Sequence, residues 1–480
     1  MIDRKQIGAF IWRFIPVEAL VPDDVARWRP VVRDAMEFMF LHISEDRLAA
    51  KVREQTELPF GTPAEERLLK LISRVPGLQK VGQVIARNRR ISVKLREQLS
   101  KLENGMSDVT AAEIREAIEA RLGDKLARHG VEISQELLSE ATVSGVIRFT
   151  WRMPGREREE GVFKVLKPHI PACFAEDMKL LRDLGGSLAR KHRRYGFAVG
   201  PVKETLEEVR LLLEHELDFQ RERITLGDAR RMYRSSFGIR VPRLIPQLCA
   251  EGVTAMSAES GIKVTEAFRR WPLRRERIAQ QIVEAVIAVP FLSWAESPVF
   301  HADPHAGNLL YDEPNRELVL LDWALAEHLD RGARRQLVLL ALMALFRNRH
   351  GVCAAIEALS RKDGTAQGTG TIRSHVDELF RRRDGSPGVM DAMMLLDEIA
   401  LEGVRFPPAL FLFRKVLFTL EGVLQDVAGH PVEIEEALVR EFLARAAASV
   451  GFLHAPLEAG DFVTIQREVL LYPWRRFVRL

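Results

Sequence analysis

The 480-residue chain is 47% hydrophobic and 29% charged, a composition that can bury a large core and excludes a disordered protein. Its 71 basic and 67 acidic residues leave a net charge of +4, too small an excess to predict nucleic-acid binding. The three cysteines lie far apart in the sequence, which excludes a disulfide framework and favours a reducing, cytoplasmic location.

Residues 1–130 are predicted to form a helical extension. An apolar stripe with i, i+3, i+4, i+7 spacing runs from Ile7 to Ile15 and predicts a helix that ends at Pro16. This helix either docks on the protein or lies on a membrane surface through residues 5–15. No apolar run reaches the length of a transmembrane helix, and the N-terminus lacks the pattern of a signal peptide. Further helices are predicted over 23–44, 45–55, 64–74, 79–102 and 110–129.

A small mixed α/β part is predicted over residues 131–262. Val143–Trp151 and Gly161–Leu166 are rich in β-branched and aromatic residues and flank Pro154-Gly155, so they predict a β-hairpin. Later segments predict helices over 172–193 and 202–235 and strands over Arg240–Pro242 and Gly252–Met256.

The remaining part, residues 263–480, is predicted to be mostly helical. It is interrupted by a hairpin over 309–321 and by a flexible, glycine-rich loop over Gly364–Gly370.

The segment 301–308, His-Ala-Asp-Pro-His-Ala-Gly-Asn, has the composition of a phosphoryl-transfer loop. Kinase chemistry needs an aspartate that accepts a proton from the attacking hydroxyl and, five residues later, an asparagine that holds the metal of ATP. Asp303 and Asn308 have this spacing, and the hairpin that follows returns the chain to the same place and delivers Asp322. Amide and carboxylate oxygens suit Mg²⁺, so Asn308 and Asp322 are predicted to bind it.

Two alternatives use the same segment differently. In the first, Asp-Pro forms an ordinary turn and Asp322 is an ordinary buried carboxylate. In the second, His301, Asp303 and His305 alternate along a strand and hold zinc, although Pro304 disfavours a regular strand there. In the kinase interpretation, we expect His301 to support the loop structurally and His305 to orient it.

Lys164 lies in an apolar predicted strand, where a lysine is costly to bury unless an acid pairs with it. A lysine in such a strand can contact the α- and β-phosphates of ATP when a glutamate holds it. The candidate acids are Glu214, Glu216, Asp218 and Glu222, of which the last two are predicted to share a helix face. Lys167 is predicted to be solvated. One hairpin earlier, Ala141–Gly145 takes the place of a phosphate-covering loop but contains a single glycine.

Four segments together resemble the motifs of the UbiB-like (AarF-domain) family of atypical kinases. Segment 301–308 is similar to that family's HADPHPGN, with Ala306 in place of proline, and segment 162–168 is similar to its VAVKVLRP. Glu216-Leu217-Asp218 resembles the family's ExD motif, and Glu222 falls where its helix glutamate lies. Lys80-Val81-Gly82-Gln83 resembles the KxGQ motif, which ordinary kinases lack. The resemblance extends over most of the chain, residues 75–445.

The resemblance implies an α+β, protein kinase-like fold with two lobes. A helical extension (1–130) would carry the KxGQ motif, followed by an N-lobe (131–262) with inserted helices and a predominantly helical C-lobe (263–480). The extension would lie over the active site and block protein substrates. Lys80 would pair there with Glu216 or Asp218.

The resemblance also implies roles for individual residues. Lys164 would contact the phosphates and be held by Glu222, while Asp303 would act as catalytic base or position water. Asn308 and Asp322 would bind Mg²⁺. The nucleotide would be bordered by Ala141, Ser144, Gly145, Met256 and Ala258, and gated by Lys80, Gln83, Glu216 and Asp218.

The function implied is that of a kinase or ATPase using ATP and Mg²⁺ in isoprenoid-quinone (ubiquinone) biosynthesis or membrane lipid metabolism. A lipid or quinone precursor and proteins of a biosynthetic complex would be its partners, and nucleic acid would not. It would be cytoplasmic and peripheral to the inner membrane.

Three departures from the family pattern leave alternatives open. The family's alanine loop keeps only Ala141, the metal loop is Asp322-Trp323-Ala324 rather than DFG, and the hinge is Met256-Ser257 rather than Met-Glu. One alternative is a small-molecule phosphotransferase of the aminoglycoside or choline kinase type, which shares an HxDxHxxN loop. The other is a nucleotide-binding pseudokinase that acts as a scaffold.

Overall fold

The computed structural model describes residues 11–21, 23–86, 108–152, 157–196, 200–293, 295–360, 366–382, 387–402, 404–428 and 456–477. The chain divides into two units. Unit 1 comprises Met1–Arg221 and Leu244–Ala258, and unit 2 comprises Glu222–Arg243 and Glu259–Leu480. The predicted division into residues 1–130, 131–262 and 263–480 stays a prediction.

Unit 1 begins with a helical layer. Its helices are α1 (Val17–Leu20), α2 (Arg29–His42), α3 (Glu45–Glu57), α4 (Ala64–Ile72) and α5 (Pro76–Ala86). Ile11 and Ile15 are buried in the apolar core of this layer, and Trp12 and Phe14 pack against it. As far as it is described, the predicted N-terminal helix therefore docks on the protein. The membrane-surface interpretation gains no support from residues 11–15, and residues 5–10 lie outside the described ranges.

An antiparallel sheet follows in unit 1, in the order β1-β2-β3-β5. Its strands are β1 (Glu132–Glu140), β2 (Ser144–Arg152), β3 (Arg158–Leu166) and β5 (Val253–Ser257). The pairing of β2 with β3 confirms the predicted hairpin. The sequence does not predict strand β1, because EISQELLSE does not alternate regularly between apolar and polar residues. The pairing of β1 with β2 contains register shifts.

Helix α6 (Ala111–Leu122) packs on this sheet. Ile114, Ala117 and Ile118 supply a buried stripe at i, i+3 and i+4, and a capping box between Thr110 and Glu113 begins the helix. The next helices of the chain are α7 (Asp124–Arg128), α8 (Ile170–Arg190), α9 (His192–Tyr195), α10 (Gly200–Leu217) and α11 (Phe219–Tyr233).

The continuous helix predicted over 202–235 is wrong, because Asp218 separates α10 from α11. The carboxylate of Asp218 accepts a hydrogen bond from the Arg221 N–H at 2.8 Å and so caps the start of α11. Asp218 and Glu222 therefore do not share one helix face. The boundary between the two units also falls within α11, after Arg221.

The prediction that Lys167 is solvated is also wrong. This lysine is 1% exposed and contacts Asp108 at 2.6 Å and Glu140 at 3.0 Å. A buried ammonium group requires such partners, and both acids come from other segments of the chain. Burial raises the pKa of Glu140, against the opposing effect of Lys167.

The described residues of unit 2 form two small sheets. The first has the order β4-β9-β8-β6, and the second pairs β10 with β7. Their strands are β4 (Ile239–Arg240), β6 (Ile262–Lys263), β7 (Val299–Phe300), β8 (Leu309–Asp312), β9 (Glu317–Leu320) and β10 (Glu327–His328). The antiparallel pairing of β8 with β9 confirms the predicted hairpin over 309–321.

Helices make up most of the rest of unit 2. They are α12 (Val264–Arg270), α13 (Arg275–Val283), α14 (Val289–Phe291), α15 (Arg331–Leu345), α16 (Arg349–Leu359), α17 (Ala366–Arg382), α18 (Val389–Leu401), α19 (Pro408–Ala428) and α20 (Ala459–Phe477), with a π-helical turn at Glu284–Ala288. The loop predicted over Gly364–Gly370 is wrong from Ala366 onward. Helix α17 begins there because the helically spaced Ile372, Val376 and Phe380 are buried. Within the described ranges, no helix is long and apolar enough to cross a membrane.

Replacing Lys167 with methionine should destabilise unit 1. The variant keeps a side chain of similar length but leaves the carboxylates of Asp108 and Glu140 buried without their cation, which costs about 3–5 kcal/mol. Denaturant unfolding of wild type and variant measures this loss. Lys179→Met, which removes an exposed lysine paired with Asp183, should change stability little. A Lys167→Met variant as stable as Lys179→Met would contradict the prediction.

Candidate active site

His301 occupies the base of the candidate catalytic loop in unit 2. It follows strand β7, is 1% exposed, and both of its ring nitrogens contact the backbone. Nδ1 accepts from the Asp303 N–H at 3.2 Å, and Nε2 donates to the Leu321 carbonyl at 2.7 Å. Burial lowers the pKa of His301, which matches a neutral ring with one donor and one acceptor. His301 thus supports the loop structurally, as predicted.

This arrangement disfavours the zinc alternative, because His301 has no ring nitrogen left to bind a metal. In the part of the chain that the structure describes, no group of three or more His, Cys, Asp or Glu side chains is placed to hold a metal ion.

Asn308 connects the catalytic loop to the candidate metal loop. Its side-chain Nδ2 donates to the Asp303 carbonyl at 3.1 Å, which leaves Oδ1 as a ligand atom. Its own carbonyl accepts from the Leu321 N–H at 2.9 Å, so Asn308 lies beside the residue that precedes Asp322.

The carboxylate of Asp322 is exposed, and its backbone has a φ of 53°. This left-handed conformation costs a non-glycine residue roughly 1–2 kcal/mol, although aspartate tolerates it better than most. Its Oδ1 accepts from the Ala324 N–H at 3.2 Å. One amide oxygen and one carboxylate fit Mg²⁺, which binds few protein ligands and completes its shell with water and phosphate. Asn308 and Asp322 would be the residues that hold it.

Each oxygen of the Asp303 carboxylate has a basic side chain near it. Lys415 Nζ lies 3.4 Å from Oδ1, and His305 Nε2 lies 3.9 Å from Oδ2. His305 Nδ1 accepts from the Gly307 N–H at 3.0 Å, so the proton of a neutral His305 ring is on Nε2 and faces Asp303.

Sequence reasoning missed Lys415. It follows Asp303 by more than a hundred residues and belongs to no motif. The available signal was a pair of basic residues, Arg414 and Lys415, inside the otherwise apolar helical segment Phe411–Phe418.

Trp323 fills the position of the phenylalanine in DFG. It is buried, its Nε1 donates to the Leu320 carbonyl at 3.2 Å, and its ring lies edge-on to His301 at 5.0 Å. The Trp323 carbonyl accepts from Thr225 Oγ1 at 2.9 Å, one turn beyond the buried Glu222 on α11. The metal loop is therefore firmly packed despite its unusual sequence.

The predicted nucleotide-binding residues of unit 1 lie on its sheet. Lys164 is a buried residue of β3, paired with Val146 on β2 and Thr254 on β5. Residues 141–143 form a tight turn between β1 and β2, and Ser144 and Gly145 begin β2. The Ala141 N–H donates to the Ser144 carbonyl at 2.8 Å and closes this turn.

Gly145, the single glycine of this segment, has a packing reason. A Cβ atom at Gly145 would lie 3.2 Å from Ile114 of α6. Close approach of α6 thus accounts for this glycine without any reference to phosphate. At the predicted hinge, Met256 pairs with Val162, and the Ala258 N–H donates to the Glu160 carbonyl at 3.2 Å, so that donor is used within the sheet.

The KxGQ segment lies on α5, which packs against α8 and α10 in unit 1. Lys80 Nζ donates to Glu216 Oε1 on α10, so of the two predicted acids Glu216 is the one that pairs with Lys80. Asp218 is exposed and caps α11 instead. Gln83 belongs to α5, but its side chain lies outside the described part of the structure.

Two further contacts hold α5 in place. Gln79 Nε2 donates to Asp108 at 3.4 Å, and the Gly77 N–H donates to Asp177 at 3.1 Å near the start of the helix. Asp177 also contacts Arg47 at 2.7 Å. Lys80 therefore reaches Glu216 from a helix that these contacts hold in place.

A model of the ABC1 atypical kinase-like domain matches residues 101–356, more than half of the chain. The chain belongs to this family. The match confirms the UbiB-like, AarF-domain resemblance and the kinase-like fold. Lys80–Gln83 and Lys415 lie outside the matched residues.

The named relatives support the same family. A "Probable protein kinase UbiB" of Edwardsiella ictaluri is 27% identical over 282 residues, 57% of this chain and 50% of that protein. Another of the same name, from Histophilus somni, is 23% identical over 358 residues, 72% of this chain and 64% of that protein. The chain therefore spans between half and two thirds of the length of these relatives.

A solved structure described as the complex of Rv3197 with erythromycin, from Mycobacterium tuberculosis, has a TM-score of 0.49 and 17% identity to this chain. The alignment covers 85% of this chain and 99% of that one.

The neutral state of His301 predicts a pH-dependent stability. The folded protein keeps this ring neutral, whereas in the unfolded chain it takes up a proton below about pH 6.5. The stabilisation is therefore fully present above that pH and is lost progressively as the pH falls below it. Denaturant unfolding midpoints of wild type should fall as the pH is lowered from about 8 to about 5.

His301→Gln provides the comparison, because glutamine can still donate to the Leu321 carbonyl but cannot titrate. The variant should be less stable at high pH and should lose less stability on acidification. His169, whose pKa burial also lowers, contributes equally to both proteins. Identical pH dependence in wild type and His301→Gln would show that His301 is not kept neutral by the fold.

Proposed function

We propose that the chain is a UbiB-like kinase or ATPase that binds Mg-ATP and transfers its terminal phosphoryl group to water or a small acceptor. The observation that carries the proposal is the hydrogen-bond network of unit 2. His301 and Asn308 each contact Asp303 and Leu321, so the candidate base and both candidate metal ligands belong to one connected structure. Kinase chemistry needs these groups together.

In this proposal, Asp303 accepts the proton of the attacking hydroxyl or orients the water, while Asn308 and Asp322 hold Mg²⁺. Bound Mg-ATP supplies the phosphoryl group and the charge of the metal. Lys164 binds the α- and β-phosphates, and its partner is Glu222; family resemblance supports that assignment. Ala141, Ser144, Gly145, Met256 and Ala258 border the nucleotide, and Lys80, Gln83, Glu216 and Asp218 form the gate.

We assign the acceptor by similarity alone. The names of the relatives and the motif resemblance favour a role in isoprenoid-quinone (ubiquinone) biosynthesis or membrane lipid metabolism. A lipid or quinone precursor, and proteins of a biosynthetic complex at the cytoplasmic side of the inner membrane, are the partners proposed.

The pairing of Lys80 with Glu216 favours this proposal over an aminoglycoside- or choline-kinase type enzyme, because the KxGQ and ExD segments belong to the UbiB-like pattern. The pseudokinase scaffold remains the second candidate. The observation that favours it is the Ala258 N–H, which is bonded to Glu160 rather than available to an adenine ring.

Replacing Asp303 with asparagine should reduce ATP turnover by a factor of about 10²–10⁴, the usual contribution of a general base. The affinity for Mg-ATP should change little, because the metal ligands remain. Turnover would be measured as phosphate release and as transfer to extracted lipids, in detergent, with Asp183→Asn as a control that removes an exposed carboxylate.

Each outcome separates the candidates. Wild-type protein that binds Mg-ATP without any turnover would establish the pseudokinase scaffold. Turnover stimulated by choline or an aminoglycoside, but not by lipid extract, would favour the small-molecule kinase. Full activity in Asp303→Asn would remove Asp303 from the mechanism.

A further inference from the structure

Asp108 contacts both helix α5 and the residues that hold the turn over 141–143, all within unit 1. We propose that Asp108 is a positioning residue that connects the helix bearing Lys80 to this turn, so that a displacement of one alters the other. The turn begins at Ala141, one of the residues proposed to border the nucleotide. The inference rests on the proposed function where it concerns the nucleotide, whereas the connection itself is measurable without one.

Helix α5 approaches Asp108 through two side chains. Gln79 Nε2, on the helix, donates to Asp108 Oδ2 at 3.4 Å, and Arg74 Nη2, two residues before the helix, donates to the Asp108 carbonyl at 2.9 Å. Gln79 is 3% exposed, so water cannot readily replace its bond to the carboxylate. Gln79 directly precedes Lys80, which pairs with Glu216. The position of Lys80 therefore depends in part on where Asp108 holds Gln79.

The other oxygen of Asp108 reaches the turn through Lys167. Lys167 Nζ lies 2.6 Å from Asp108 Oδ1 and 3.0 Å from Glu140 Oε1, and the Asp108 N–H donates to the same Glu140 oxygen at 3.2 Å. Glu140 is the last residue before the turn. At the other end of the turn, the Lys167 N–H donates to the Val143 carbonyl at 3.0 Å. Lys167 therefore holds both ends of the turn, one through its side chain and the other through its backbone.

These contacts are shielded from water. The side chains of Asp108, Glu140 and Lys167 are only 4%, 8% and 1% exposed. Buried charges that share partners act together, because displacement of one leaves the others desolvated and unpaired. Apolar packing supports the same connection, since Val81 of α5 packs against the apolar cluster that contains Val143. A shift of α5 should therefore displace the turn as well.

A second acid, Asp177 on α8, also holds α5 but through different partners. It accepts from the Gly77 N–H at 3.1 Å, near the start of the helix, and pairs with Arg47 on α3 at 2.7 Å. Both partners belong to the helical layer of unit 1 rather than to its sheet. Asp177→Asn therefore loosens α5 by a route that does not pass through Asp108, which makes it the matched control.

The first measurement is hydrogen exchange of the nucleotide-free protein, followed by mass spectrometry. The Ala141 and Lys167 N–H groups close the turn, so peptides that contain them report on its opening. Gln79→Met removes the amide that α5 contributes and leaves the charges of the network in place. We expect it to speed exchange in these peptides about twofold to tenfold, the equivalent of one net hydrogen bond. Asp177→Asn should speed exchange in α5 but leave the turn unchanged.

The second measurement is a double-mutant cycle on the affinity for Mg-ATP, with Gln79→Met, Asp108→Asn and the double variant. Each single variant should weaken binding about threefold or more, whereas Asp177→Asn should bind like wild type. Since Gln79 acts through Asp108, the double variant should bind no more weakly than Asp108→Asn alone. Any turnover should keep its kcat, because the candidate base and metal ligands belong to unit 2.

The outcomes separate this inference from the proposed function. Faster exchange at the turn in Gln79→Met, but not in Asp177→Asn, supports the connection even if the protein does not bind Mg-ATP, a result that would overturn only the proposed function. Unchanged exchange at the turn in Gln79→Met overturns the inference, and this comparison with wild type still decides if Asp108→Asn does not fold. Equal acceleration in Gln79→Met and Asp177→Asn, or additive losses of affinity in the cycle, would also overturn it, because α5 would then act on the turn without Asp108.

Discussion

The structure of the candidate catalytic centre depends on one buried imidazole. His301 accepts from the Asp303 N–H and donates to the Leu321 carbonyl, and so ties the catalytic loop to the strand end that precedes Asp322. A buried polar ring is costly unless both nitrogens are bonded, so neither contact can be lost cheaply. Trp323 covers the ring, and its own carbonyl is bonded to Thr225 on α11. The candidate base and the two candidate metal ligands therefore depend on the packing of His301, a residue to which no chemical step is assigned.

Each unit contains ion pairs that join side chains from different segments of the chain. In unit 1, Lys80 contacts Glu216, and the buried Lys167 contacts Asp108 and Glu140. In unit 2, Lys415 contacts Asp303. Buried ion pairs contribute little net stability over apolar contacts, but loss of one partner is severely destabilising. Such pairs therefore favour one arrangement of helices over others, which is what a site built from several segments requires.

The departures from the family motifs have local physical reasons. Trp323 is accommodated by its hydrogen bond to Leu320 and its contact with His301, so the metal loop is packed without the phenylalanine of DFG. Gly145 lies close to Ile114 of α6, because a Cβ atom there would come within 3.2 Å of that side chain. Packing against neighbouring residues therefore influences which residue occupies a motif position in this chain. A departure from the family motif does not by itself indicate that an activity is lost.

The sequence alone determined the local features: the hairpins β2–β3 and β8–β9, the spacing of Asp303 and Asn308, and the family. These depend on neighbours in the chain, which set strand alternation, helical stripes and turn chemistry. Tertiary structure alone decided the burial of Lys167, the choice of Glu216 over Asp218 as the partner of Lys80, and the approach of Lys415 to Asp303. Each of these pairs joins residues separated by dozens to more than a hundred positions. No periodicity in the sequence records such a contact, because only the packing of whole helices and strands brings its two charges together.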